Sequence, residues 1–383
     1  MRKICFVTGT RAEYGLLSRL MRLVKEDKDL RLQVIATNMH LMPEYGETYK
    51  EIEKDGFTID KKVYMHKPSD DAYGIISSMA EEMQGMNNAL SELKPDILVL
   101  LGDRYEILVA AQVALIHRIP IAHIHGGEVT EGAFDDAIRH SVTKMSSLHF
   151  TSCEEYRHRV IQMGEQPSRV FDVGSLGVEN IKAVPLMTKD ELEASLDFKI
   201  DKQTILVTYH PVTLGGDPAK DIREFLDALD QFKDLKVIFT MPNSDTGRDA
   251  IALAVENYVE KHSNSAKAYT SLGLKRYLST LQFVKAAVGN SSSGIIEVPS
   301  FGIPTLNIGD RQKGRLASKS VVNCGTSKDE VIAGLKLCLS EEMQKAAKTY
   351  ENPYAKPDTA NLIYQELKNV ELAGLNLKTF YDL

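Results

Sequence analysis

Between Lys94-Pro95 and Gly102-Asp103-Arg104 lies the run Ile97-Leu-Val-Leu-Leu101, five consecutive apolar residues. Successive side chains of a strand point to opposite faces, so a strand apolar at every position must be covered on both sides. That is the situation of a central strand in a parallel sheet with helices on each face. Its neighbours repeat the pattern. A helix is predicted from about Asp71 to Leu93, ended by Lys94-Pro95. After the run come an amphipathic helix, Ile107 to Ile116, and a strand, Ile121 to His125.

The alternation begins at the N-terminus with the strand Ile4 to Val7, the loop TGTRAEYG and a helical pattern at Leu16, Leu17, Leu20, Leu23 and Val24. It goes on through Asp136–Met145, Leu148–Thr151, Cys153–Met163 and Val170–Val173. After Val184-Pro185 it restarts, with strands at Thr204–Thr208, Lys236–Phe239, Val284–Val288 and Pro304–Ile308. The expectation is two Rossmann-like α/β domains, 1–177 and 185–358, with strand ends facing a cleft, and a tail 360–383 that packs back on the first. The 383 residues suffice for two such cores. A net charge of −7 argues against a nucleic-acid partner. No apolar run approaches a membrane span, the N-terminus lacks a signal peptide's apolar region, and four scattered cysteines form no CxxC pair. A cytoplasmic protein without metal or cofactor is expected.

The polar residues gather at strand ends. The loop after the first strand carries Arg11 and Glu13, but neither GxGxxG nor a Walker pattern. Asp103 and Arg104 follow the apolar run, where a partly desolvated carboxylate suits proton transfer. In HIHGGEVTEGAFDD, His123 and His125 would share a strand face. Without a third ligand placed by spacing they are assigned no metal. Gly126-Gly127 would let a ligand approach the backbone, and Glu128, Asp135 and Asp136 add carboxylates. The strand Thr204–Thr208 delivers His210, suited as a phosphate ligand or proton donor, and Asn243 and Asp245 sit in a turn after another strand. In GNSSSGIIEVPSFG, Ser291 and Ser292 precede a predicted helix that stops near Gly302. Serines at a helix start could be caps alone. With Glu297 one turn on, suited to a ribose diol, and Arg311 past the next strand, suited to a diphosphate, they point to a nucleoside-diphosphate site. Chemistry at the anomeric carbon of a nucleotide sugar fits this set, as glycosyl transfer or as elimination.

VTGTRAEYG, LGDRYE, HIHGGE with DDAIRHSVTKMS, YHPVT, GNSSSGIIEVPSFG and INIGDRQKGR together resemble the hydrolysing UDP-N-acetylglucosamine 2-epimerases, the bacterial sialic-acid-pathway type above all. The resemblance spans the chain and implies a GT-B fold of two Rossmann-like parallel-sheet domains, with the active site in the cleft between them and a homodimeric or homotetrameric assembly. It implies conversion of UDP-N-acetylglucosamine and water to N-acetylmannosamine and UDP through a 2-acetamidoglucal. By motif position, Arg11, His210, Ser291, Ser292 and Arg311 resemble diphosphate ligands, and Glu297 resembles the ribose ligand. Asn243 and Asp245 match the turn beside the nucleotide, while Asp103 and Asp135 resemble acid/base carboxylates. Many relatives have glutamate where this chain has His125, so His125 or Glu128 would take that proton-transfer role. A related branch acts on UDP- or GDP-linked diacetamido-trideoxyglucose. A glycosyltransferase of the same fold and a sensor without turnover are the competing readings.

Overall fold

The computed structural model describes residues 1–66, 69, 71–131, 134–212, 217–242 and 247–383. It divides into two compact units. The first comprises Met1–Glu128, Asp135–Asn180 and Lys356–Leu383, the second Val129–Phe134 and Ile181–Ala355.

The first unit holds a parallel sheet of seven strands among the described residues: β1 (Arg2–Thr8), β2 (Leu30–Thr37), β3 (Lys61–Val63), β4 (Ile97–Leu101), β5 (Ile121–Ile124), β6 (Leu148–Thr151) and β7 (Val170–Asp172). Their order is β3-β2-β1-β4-β5-β6-β7. The apolar run is β4, wholly buried, and its residues divide by face. Ile97, Val99 and Leu101 join Ile4 and Phe6 under the helices Arg11–Glu26 and Thr359–Asn369. Leu98 and Leu100 join Cys5 and Val7 under Ala72–Leu93 and Tyr105–Ile116. Each such side chain contributes about 1.5–3 kcal/mol on leaving water, so neither face could be left bare. The C-terminal helix belongs to this core through Ala360, Ile363 and Leu367.

The second unit repeats the design with β8 (Thr204–Thr208), β9 (Lys236–Thr240), β10 (Ala266–Tyr269), β11 (Ala286–Gly289), β12 (Thr305–Ile308) and β13 (Val321–Cys324), in the order β10-β9-β8-β11-β12-β13, all parallel. Ile205 and Val207 of β8 face one core with Phe225 and Phe239; Leu206 faces the other with Ile238 and Leu281. Both edge strands went unread in the sequence. AKAY and VVNC are short and half-exposed, so they lack the continuous apolar signature of a covered strand. The order reverses at β1/β4 in the first sheet and at β8/β11 in the second. At such points the chain leaves two adjacent strands in opposite directions and opens a crevice at their C-terminal ends.

Among the described residues no helix is long and apolar enough to cross a membrane, and all four cysteines are free.

Candidate active site

At the first crevice, β1 runs into Gly9-Thr10 and the helix Arg11–Glu26. Thr10 caps that helix and Glu13 completes a capping box. Glu13 Oε2 accepts the N–H groups of Gly9 (2.7 Å) and Thr10 (3.2 Å), so the helix start already holds a carboxylate of its own. Glu13, one of the two charged residues of the loop after β1, is therefore an internal cap. Burial and then the neighbouring charge of Glu106 push its carboxyl up to about 8. Glu82 lies in the same group, its carboxyl raised first by burial and then by Glu106. Arg11, at the rim, pairs with Glu51 at 2.6 Å and keeps 27 % of its side chain exposed, so an anion would compete with that carboxylate.

Gly102 follows β4, and Asp103 pairs with Arg139. The arginine is 1 % exposed and also donates Nη1 to Glu128 O at 2.9 Å. One buried guanidinium thus fixes Asp103 and the backbone of Glu128. Asp135 opens the helix Asp135–Met145 that carries Arg139, and is buried. Asp136 approaches Arg139 at 3.4 Å. Arg104 does not reach outward; its Nε donates to buried Glu106 at 2.9 Å.

β5 stops at Ile124, so His123 and His125 do not share a strand face. His123 is fully buried, with Nε2 at 2.8 Å from Gly102 O and Nδ1 at 3.1 Å from Thr143 Oγ1. Burial lowers its imidazole to about 3, and it stays neutral. His125 lies in the left-handed region at φ +66°, a conformation unusual without glycine and common at functional turns. Its N–H is held by Phe150 O at 2.8 Å, and Nδ1 is 3.8 Å from Glu128 Oε1, which accepts Ser152 Oγ–H at 2.9 Å. The two glycines that follow serve packing rather than ligand access. A Cβ at Gly126 would meet Thr143 Oγ1 at 2.9 Å, and one at Gly127 (φ +80°) would meet Tyr156 O at 2.5 Å.

In the second unit, β8 delivers His210, and β11 ends in Gly289-Asn290 beside it. Asn290 is 1 % exposed; its Oδ1 accepts His210 N–H at 2.7 Å and its Nδ2 donates to His210 O at 2.8 Å. Asn290 O in turn accepts Arg311 Nη1 (3.1 Å) and Gln312 Nε2 (2.8 Å). His210, Ser291 and Arg311 are thereby gathered at the ends of β8, β11 and β12. The helix after the serines is shorter than predicted: Ser293–Ile296, then a 3₁₀ turn Val298–Phe301 stopped at Gly302 (φ +64°). Pro299 has no N–H to continue the ladder. A single turn carries little dipole, so hydroxyls and individual N–H groups would do the anion binding here. Glu297 stands at the junction between these two turns. Val129–Phe134 is grouped with this unit, with Arg315 Nε donating to Val129 O at 3.0 Å.

Asn243 and Asp245 lie outside the described residues. Arg139 and Asn290 were not singled out by sequence reasoning, although each stands inside a motif it used. An i,i+4 spacing from Asp135 was the available signal for Arg139. Among the described residues no cluster of three or more His, Cys, Asp or Glu side chains could hold a metal ion.

The profile of the family described as UDP-N-acetylglucosamine 2-epimerase matches residues 22–368. The chain is 45 % identical over 383 residues to a GDP/UDP-N,N'-diacetylbacillosamine 2-epimerase (hydrolyzing) of Campylobacter jejuni, covering 100 % of this chain and 99 % of the other. It is 38 % identical to the polysialic acid biosynthesis protein P7 of Escherichia coli, covering 100 % and 98 %. The fold is similar to that of the UDP-GlcNAc 2-epimerase from Neisseria meningitidis bound to UDP-GlcNAc, with a TM-score of 0.81, 17 % identity and coverage of 96 % and 100 %. Two parallel-sheet units on a GT-B fold and a family match over nearly the whole length lead to one assignment: the chain belongs to the UDP-N-acetylglucosamine 2-epimerase family, among its hydrolysing members.

Proposed function

We propose that the protein hydrolyses a UDP-linked 2-acetamido sugar with inversion at C2, releasing UDP. A base removes the C2 proton as the C1–O bond breaks, leaving a 2-acetamidoglucal and UDP. Water then adds across the double bond, its hydroxyl to C1 and a proton to C2 from the opposite face. The pairing of Asp103 with buried Arg139 carries this reading, because the same guanidinium ties that carboxylate to the backbone of Glu128, whose side chain is 3.8 Å from His125. His210, Ser291, Ser292 and Arg311 would hold the diphosphate, and Glu297 the ribose. Arg11 would leave Glu51 to join them, and Asn243 and Asp245 would lie beside the nucleotide.

The motifs suggest UDP-N-acetylglucosamine as substrate, with N-acetylmannosamine as product for sialic acid synthesis. The 45 % identity to an enzyme named for diacetylbacillosamine favours the UDP- or GDP-linked diacetamido-trideoxy sugar. A cytoplasmic homodimer or homotetramer belongs to the same proposal, and Tyr73, Ile76 and Met83, exposed along one face of the helix Ala72–Leu93, are apolar surface available for it. Proton NMR of the purified protein in deuterated water, without added metal, tests the reaction and the substrate together. Free 2-epimer carrying deuterium at C2, with UDP, is expected from one of the sugar nucleotides. Product that appears only with an added acceptor would mean glycosyl transfer, and UDP-sugar binding without product would mean a sensor.

A further inference from the structure

We propose that Asn290 is the positioning residue for His210. The inference rests on the reading of His210 as a diphosphate ligand. His210 comes directly after Tyr209, past the end of β8, where no strand pairing is left to hold its backbone. The Asn290 carboxamide takes over, accepting from His210 N–H at 2.7 Å and donating to His210 O at 2.8 Å. Such a two-point pairing fixes both the position and the plane of the backbone, and so the direction in which Cβ and the imidazole leave it. Asparagine alone among side chains of this length offers one donor and one acceptor in that geometry; aspartate would set an oxygen against the His210 carbonyl.

The anchor is itself anchored. Asn290 N–H donates to Thr208 O at 3.2 Å. The preceding Gly289 adopts φ +132°, where a Cβ would stand 2.0 Å from Thr208 O, so the backbone of β11 comes closer to β8 than any other residue would allow. The carboxamide is 1 % exposed and its two polar atoms are both engaged by His210, so it is not offered to a ligand. Arg311 and Gln312 reach Asn290 only through its backbone carbonyl. Replacing the side chain therefore removes the hold on His210 and leaves the attachment of Arg311 in place.

The test is a double-mutant cycle with Asn290→Ala and His210→Ala, read as kcat/KM for the sugar nucleotide that the wild type turns over. Asn290→Ala is expected to lower kcat/KM about 10–100-fold in the wild-type background and less than about 3-fold where His210 is already alanine, since residues acting as one unit are not additive. Equal losses in both backgrounds, or no loss in either, would overturn the proposal. The second readout needs no substrate: the ring signals of His210 in selectively labelled protein, identified by their loss in His210→Ala. They are expected to move in Asn290→Ala while those of His117, His158 and His262 stay. A wild type without turnover would refute the proposed reaction, and the ring signals would then decide the role of Asn290, unmoved signals counting against it. If Asn290→Ala does not fold, Asn290→Asp keeps the volume and the acceptor for His210 N–H, sets an oxygen against His210 O in place of the donor, and is read in the same two ways.

Discussion

Arg139 is 1 % exposed and its guanidinium serves Asp103, Asp136 and the Glu128 carbonyl. A cation buried to this extent needs an ionised partner, and Asp103, a quarter exposed, is that partner. Asp103→Asn should therefore act twice. Turnover, followed as UDP release, is expected to fall about 100–10,000-fold, the usual contribution of a positioned acid or base. Stability in denaturant melts should drop by about 1–3 kcal/mol, as the arginine loses a charged acceptor. Unchanged turnover in folded protein would remove Asp103 from the mechanism. For His125, the left-handed backbone at φ +66° aims the side chain at the end of Glu128, 3.8 Å away. His125→Ala is expected to lose about 100-fold or more in kcat, whereas His125→Glu, which restores the carboxylate of many relatives, should keep measurable turnover. If alanine is as active as histidine, Glu128 carries the step. At this scale the sequence named Asp103, Glu128, His210 and Arg311, because charged residues at strand ends are conspicuous in the text. It missed Arg139 and Asn290, whose importance lies in partners 36 and 80 residues away.

The elements explain why some conspicuous residues are not ligands. Glu13 is consumed by its own helix start, and Gly126 and Gly127 by the side of the helix Glu154–Gln162 and by Thr143. Gly127→Ala would force a Cβ to 2.5 Å from Tyr156 O at a φ that only glycine adopts without strain. A loss of about 2–4 kcal/mol in a denaturant melt is expected, with kcat of the folded fraction much less affected. A loss below about 0.5 kcal/mol would show that the loop yields instead. The serine turn followed the same logic in reverse. A helix to Gly302 reads naturally from the apolar spacing of Ile295, Ile296 and Val298, but Pro299 divides it into two short turns.

For the whole molecule, buried titratable groups set how stability depends on pH. His123 and His40 are held neutral by burial, at about 3 and about 4, below their unfolded value. The stability they confer is complete above about pH 6.5 and is lost as pH falls beneath it. Glu13 has the opposite sign. Its folded value of about 8 lies above the unfolded carboxyl value, so its contribution is complete at low pH and is lost as pH rises towards 8. Between pH 6.5 and 8 the histidines no longer contribute a slope, and the wild type should lose stability by up to about 1.4 kcal/mol per pH unit from this carboxyl. Glu13→Gln, which keeps an oxygen for Gly9 and Thr10, should flatten that window. An unchanged slope would mean that the proton resides elsewhere, Glu82 being the candidate.

The sequence by itself determined the layered α/β architecture and the two-part division. A strand apolar on both faces has no other stable environment, and the alternation of such strands with amphipathic helices leaves only parallel sheets with covered faces. It also determined the family, since the motifs extend in order along the chain. Only the tertiary structure decided which distant partners the polar residues at strand ends receive. Glu13 and Asp103 look alike in the text, each following a strand by a few residues. Glu13 is taken by the N–H groups of its own helix start, three and four residues back, whereas Asp103 receives a buried arginine from a helix 36 residues on. A local pattern records what a residue can do; the partners brought to it by long-range folding determine what it does.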